Sequence, residues 1–128
     1  MSTDEIATET GRVWLGEDGI IRSVANANSE ETLPTARANI AAIAHVAGGV
    51  PRPVLVDLTG VKAISREARA YYNSAEAAAH YTAAAMLIGS PLSRVIGNFY
   101  IGLNRLPKPT RLFTTEDAAL AWLREFRP

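Results

Sequence analysis

The apolar positions of this chain change period several times, and each change marks an element. Short β-rich runs, Thr10–Gly16 and Ile20–Val24, flank Glu17-Asp18-Gly19, and two such runs around an Asp-Gly predict an N-terminal hairpin. Leu33, Ala36, Ile40, Ile43, Ala44 and Ala47 then recur at helical spacing. Ser29 reads as the cap of that helix, with Glu30 and Glu31 in a first turn where the dipole favours acids. Pro34 lies about a turn inside that start, so Leu33 is the alternative beginning; Gly48-Gly49, Pro51 and Pro53 end the helix. Val54–Val56, running into Asp57, and Ala83–Ile88, closing at Gly89, are continuous apolar runs of the kind strands show when both faces are covered. Between them come a Thr59-Gly60 loop and a helix capped by Ser65 that runs through Tyr72, broken or resumed at Ser74. Ser90 as cap with Pro91 at the first helical position opens a third helix. Its apolar face is wide: Leu92, Val95, Ile96, Phe99, Tyr100, Leu103 and Leu106, up to Pro107 and Pro109. Arg111–Phe113 is a last short strand, and Thr114, with Asp117 three residues on, caps a final helix that packs through Leu120, Trp122, Leu123 and Phe126.

The order is β-β-α-β-α-β-α-β-α with four helices. Strands alternating with helices imply right-handed crossovers and a mostly parallel α/β sheet carrying the antiparallel hairpin. No internal repeat, low-complexity tract or linker interrupts the pattern, so residues 1–128 read as one domain.

Composition narrows the function classes. Hydrophobic residues make up 48% and charged residues 20%, an ordinary globular balance, and the absence of Cys excludes disulfides, thiolate metal sites and cysteine nucleophiles. The longest apolar run, Ala83–Ile88, falls far short of the roughly 18 residues a membrane span needs. Met1–Glu9 is polar and acidic rather than basic and then apolar, so neither membrane insertion nor a signal peptide is expected, and the cytoplasm is the expected location. Zero net charge removes the usual mark of a nucleic-acid binder. The charges are nevertheless uneven: seven acids and two arginines precede Thr32, whereas Ala77–Thr115 has no acid but holds Arg94, Arg105, Lys108 and Arg111. Such a stretch is either a solvated surface or a basic face for an anionic partner.

Nothing in the chain forms a catalytic signature. His45 and His80 are far apart with no His-x-x-x-His, so no metal site is expected. There is no Gly-x-Ser-x-Gly elbow, and Ser65 and Ser90 are accounted for as caps. Glu30-Glu31 and Glu116-Asp117 complement helix dipoles, and Gly97–Gly102 has neither the lysine nor the spacing of a phosphate loop. No enzyme activity and no cofactor are expected.

The stretch VLVDLTGVKAISREAR, Val54 to Arg69, resembles the signature of the STAS domain, the SpoIIAA-like fold of anti-sigma-factor antagonists. In that pattern a strand ends in an aspartate, a Ser or Thr follows two residues later, and a hydrophobic-x-x-Ile run enters a helix; here these are Asp57, Thr59, Val61 and Ile64. The closing RLFTTEDAALAWL is similar to the end of many such domains, and bacterial proteins described as STAS/SEC14-like are the expected company. The resemblance implies a non-enzymatic regulatory or protein-interaction module. In the family, a serine at the helix start, within Asp-Ser-Ser/Thr-Gly, is phosphorylated. Ser65-Arg66-Glu67-Ala68 stands there instead, with Arg66 in the place of the phosphorylated serine, so the phosphoswitch is not expected.

Ligands of open α/β sheets gather at the carboxyl ends of strands, and helix N-termini attract anions. Asp57, Thr59, Ser65, Arg66, Ser90, Ser93 and Arg94 are therefore expected to line one surface for a protein partner or a small anionic ligand. A second expectation is a homodimer formed through Tyr71, Tyr72, Phe99, Tyr100 and Ile101, where the third helix is apolar nearly all round. Because the SEC14 shape encloses a lipid, a lipid-like ligand is the alternative.

Overall fold

The computed structural model describes residues 5–102 and 106–128, with residues 99–102 described as backbone only. Its main sheet holds β1 (Ile6–Ala7), β2 (Gly11–Leu15), β3 (Ile21–Ala25), β5 (Arg52–Asp57), β7 (Tyr81–Leu87) and β8 (Thr110–Phe113) in that spatial order. β1, β2 and β3 pair antiparallel, whereas β3, β5, β7 and β8 run parallel. The predicted hairpin is the β2–β3 pair, with Trp14 opposite Arg22. Its turn is braced by Arg22, whose guanidinium donates to both carboxylate oxygens of Asp18; this hydrogen bonding holds the Asp18 carboxyl below its ordinary range.

Side-chain alternation splits the core into two faces. Val54, Val56, Ala84 and Met86 point to one face, where they meet Ile40 and Ile43 of α1 (Leu33–Ala47), Tyr72 of α2 (Arg66–Tyr72) and Ile96 of α4 (Pro91–Gly102). Leu55, Ala83 and Ala85 point to the other face and pack on Ala119 and Leu123 of α5 (Glu116–Leu123). The three alanines of β7, Ala83–Ala85, are all buried and let helices approach closely on both faces.

Several expectations are corrected. Ser29 is not a helix cap: Ser29–Glu31 forms β4, which pairs parallel with β6 (Val61–Ile64) in a separate two-stranded sheet. Helix α1 begins at Leu33 with Thr32 as N-cap, and Pro34 falls in its first turn, where its missing N–H has no intrahelical partner to lose. The final helix is capped by Thr115 rather than Thr114, through a 3.3 Å bond from the Ala118 amide. Among the described residues there are five α-helices, because the chain restarts at Ser74, whose Oγ caps the short α3 (Ala75–Ala78). Gly48 ends α1 in the left-handed region, as its glycine predicts.

Candidate functional site

The loop after β5 is built by Asp57. Its Oδ1 accepts from the amide and the hydroxyl of Thr59, at 2.9 and 2.7 Å, which turns the chain at the strand's carboxyl end. Gly60 follows because the turn presses on the β3–β4 connection: a Cβ there would lie 2.5 Å from the Asn26 carbonyl oxygen. The Thr59 methyl lies against Gly89, so the β5–β6 and β7–α4 loops touch. At the second loop Ser90 Oγ accepts from the Ser93 amide, while Ser93 Oγ accepts from the amides of Gly89 and Ser90. Ser93 is thus fully buried (0% exposed) and locks the helix start; it is not part of a surface.

Ser65 caps α2 by accepting from the Ala68 amide, and Arg66 behind it is exposed. These two residues stand at the far end of β6 from Thr59. Four strand residues separate the groups by about 13 Å. The predicted surface is therefore in two parts: Asp57, Thr59 and Ser90, with exposed Arg94 further along α4, and Ser65–Arg66 beyond β6. Sequence reasoning missed what lies beside the first part. Leu92 and Val95, on the solvent side of α4, are 48% and 52% exposed. They had been counted with Ile96 on one wide apolar face, but α4 turns only Ile96 of the three inward, together with Ser93.

The predicted dimer residues also part company. Tyr72 points inward: its hydroxyl donates to Glu31 Oε1 at 3.2 Å and accepts from Asn39 Nδ2 at 2.9 Å. Burial, reinforced by the Glu31 charge, pushes its phenol well above the ordinary range. Tyr71 is half-buried beneath the Arg37 guanidinium, 5.9 Å from the ring centre. The side chains of Phe99, Tyr100 and Ile101 lie outside the described residues. Of the basic stretch, Lys108 donates to the Tyr81 carbonyl at 3.0 Å and Arg111 stacks over Phe113 and Trp122, so both carry structural contacts.

Tyr72 belongs to a buried polar network that the sequence pattern did not reveal. Glu31, 7% exposed, accepts from Thr35 Oγ1 at 2.7 Å and from Asn39 Nδ2, which lies 3.2 Å from each carboxylate oxygen. Asn39 also donates to Thr10 Oγ1 and accepts from Thr8 Oγ1, tying α1 to the connection between β1 and β2. The network edges a cavity of about 80 Å³ whose other described lining is mostly apolar, including Ile40, Val54, Val56, Ala84 and Met86, with Arg12 and Asp57 also on its wall. Among the described residues no three His, Asp or Glu converge to hold a metal ion, and no helix is long and apolar enough to cross a membrane.

A family model, "Domain of unknown function (DUF7793)", matches residues 13–127. The chain belongs to the DUF7793 family. No curated protein matches it. Among solved structures it is similar to an anti-sigma factor antagonist from Mycobacterium paratuberculosis, at 22% identity and TM-score 0.59, over 85% of this chain and 89% of that one. It is also similar to an uncharacterized DUF3478-family protein with a SpoIIAA-like fold from Shewanella loihica PV-4, at 13% identity and TM-score 0.51, covering 96% and 95%. A protein with unknown function from Arthrobacter sp. FB24 shares 35% identity over 93% of this chain and 96% of that one, at TM-score 0.37. This DUF7793 chain therefore has the SpoIIAA-like fold that the Val54–Arg69 stretch resembles.

Proposed function

We propose that this DUF7793 chain is a non-enzymatic regulatory module that docks another protein, or a second copy of itself, on the surface formed by the β5–β6 turn and the solvent side of α4. The observation that carries this reading is the half-exposure of Leu92 and Val95 beside Arg94. Two large apolar side chains on one helix flank, rimmed by a cation and by the polar Thr59 turn, have the make-up of a small protein interface. The similarity to an anti-sigma factor antagonist supports a role that works through protein contact. The unit works without a phosphoswitch: Arg66 opens α2 where the resemblance would place the phosphorylated serine, and Ser65 commits its oxygen to the cap. Asp57 likewise spends an oxygen holding its own turn, and the serines at Ser90 and Ser93 satisfy each other, which leaves no activated nucleophile there. A lipid-like ligand is disfavoured because about 80 Å³ does not admit an acyl chain, and the Glu31 carboxylate opposes an anion in the same cavity.

The test is a quantitative affinity capture from the native host's lysate with the wild-type chain and with Arg66→Glu and Arg94→Glu, singly and combined. Both side chains are exposed, so the variants are expected to fold normally. Arg94→Glu should lower recovery of the specific partner about tenfold, and Arg66→Glu should lower it less. Unchanged recovery with the double variant contradicts the assigned surface.

A further inference from the structure

We propose that the cavity between the sheet and helices α1 and α2 is a binding site for a small organic cation, a compact alkylammonium whose charged head pairs with Glu31. This site is separate from the α4 docking surface, and neither reading depends on the other.

Glu31 is 7% exposed, and among the described residues no Lys, Arg or His forms an ion pair with it. Buried carboxylates are ordinarily matched by a cation, because hydrogen bonds alone recover only part of the lost hydration. The donors that reach Glu31 are few for the oxygens they serve. Oε1 receives the hydroxyls of Thr35 and Tyr72, at 2.7 and 3.2 Å. Among the described residues, Oε2 receives only the Asn39 amide, at 3.2 Å, and that group divides two hydrogens among Glu31, Tyr72 and Thr10. An ammonium brings three N–H donors and a full positive charge, and the acceptors Glu31, Thr10 and Tyr72 all line the cavity.

The rest of the wall specifies the body of the ligand. Most of the remaining lining is hydrocarbon, from residues such as Ile40, Val54, Val56 and Met86, with Arg12 and Asp57 also on the wall, so a hydrated metal ion or a polyol would lose more hydration than it regains. The cavity, about 80 Å³, is roughly half the size of one that takes up benzene, which limits the ligand to about three non-hydrogen atoms. One charged end beside an apolar end therefore suits a short primary amine, and an anion is excluded by Glu31.

Nuclear magnetic resonance titration of the full chain with ethylammonium chloride and, separately, with ethanol tests this. Ethylammonium should give saturable amide shifts at Glu31, Asn39 and Ile43 and bind about tenfold more tightly than the isosteric alcohol. Glu31→Gln should erase that preference, bringing the ratio of the two affinities to about one. Ala84→Val, which fills the cavity and keeps the carboxylate, should abolish binding of both. If Glu31→Gln does not fold, the amine-to-alcohol ratio in the wild type and the Ala84→Val result still decide the matter. No saturable shift, equal affinities for the two probes, or undiminished binding in Ala84→Val overturns the proposal.

Discussion

At neutral pH, Asn39→Asp is expected to cost about 3 kcal/mol of stability, and most of that loss should return as the pH is lowered toward 4. The substitution changes almost no volume, so packing is not the cause. It replaces the Nδ2 group that lies 3.2 Å from both Glu31 oxygens with a second carboxylate oxygen, in a site where both residues are less than a tenth exposed. Two carboxylates at that separation cannot both stay ionised away from water, so the folded pair keeps a proton that the unfolded chain releases. The apparent folded pKa of the pair then rises above the unfolded value near 4, roughly the carboxylate reference. With a raised folded pKa, the destabilisation is absent below the unfolded value and grows with pH until the folded value is passed. Urea denaturation of the variant and the wild type at several pH values reads this directly. Asn39→Ala also loses stability, but without the same recovery in acid. A pH-independent Asn39→Asp loss would mean that Glu31 and residue 39 are not neighbours.

Leu123→Ala is expected to cost about 3 kcal/mol, close to the middle of the range for fully buried leucines. Leu123 is 0% exposed and, with Ala119, carries the contact of α5 with Leu55, Ala83 and Ala85 on the face opposite α1. The opposing side chains are mostly alanines on strands, which cannot swing into the space the leucine leaves, so the cavity should persist and the cost stay high. Val95→Ala on the exposed flank of α4 should change stability by less than about 0.5 kcal/mol, although it removes a branched apolar side chain. The urea midpoint should therefore fall for Leu123→Ala with little change in slope, and hardly move for Val95→Ala. Equal effects of the two would mean that the burial assigned to α4 and α5 is wrong.

How far the sequence could be read depended on whether the deciding interaction was local. Val54–Asp57, Ser65 and the Ser90-Pro91 start carry their signals within a few residues, and the structure places them as a strand and two capped helix starts. Ser29-Glu30-Glu31 has the residues of a helix start, yet Ser29 pairs with Val61 across the fold, and no local pattern reports a partner more than thirty residues away. Only Pro34 hinted that the helix begins later. The candidate surface was legible as two loops, but not in its details. Ser93 looked like a free hydroxyl until its place between the amides of Gly89 and Ser90 was seen, and Val95 looked like core until the rotation of α4 was known. The buried network left one readable trace: Glu31, Thr35 and Asn39 recur every four residues along the edge of the Ile40–Ile43 stripe, a row of polar groups set where apolar ones belong.

The docking surface on α4 is tested most directly by site-specific photo-crosslinking in the native host, with a photoreactive amino acid at position 95 and, as control, at position 50. Val50 is also exposed, at 43%, but lies at the amino end of β5, away from the Thr59 turn. Position 95 should yield a discrete protein adduct and position 50 none. Adducts formed equally from both positions, or from position 50 alone, would contradict the assignment.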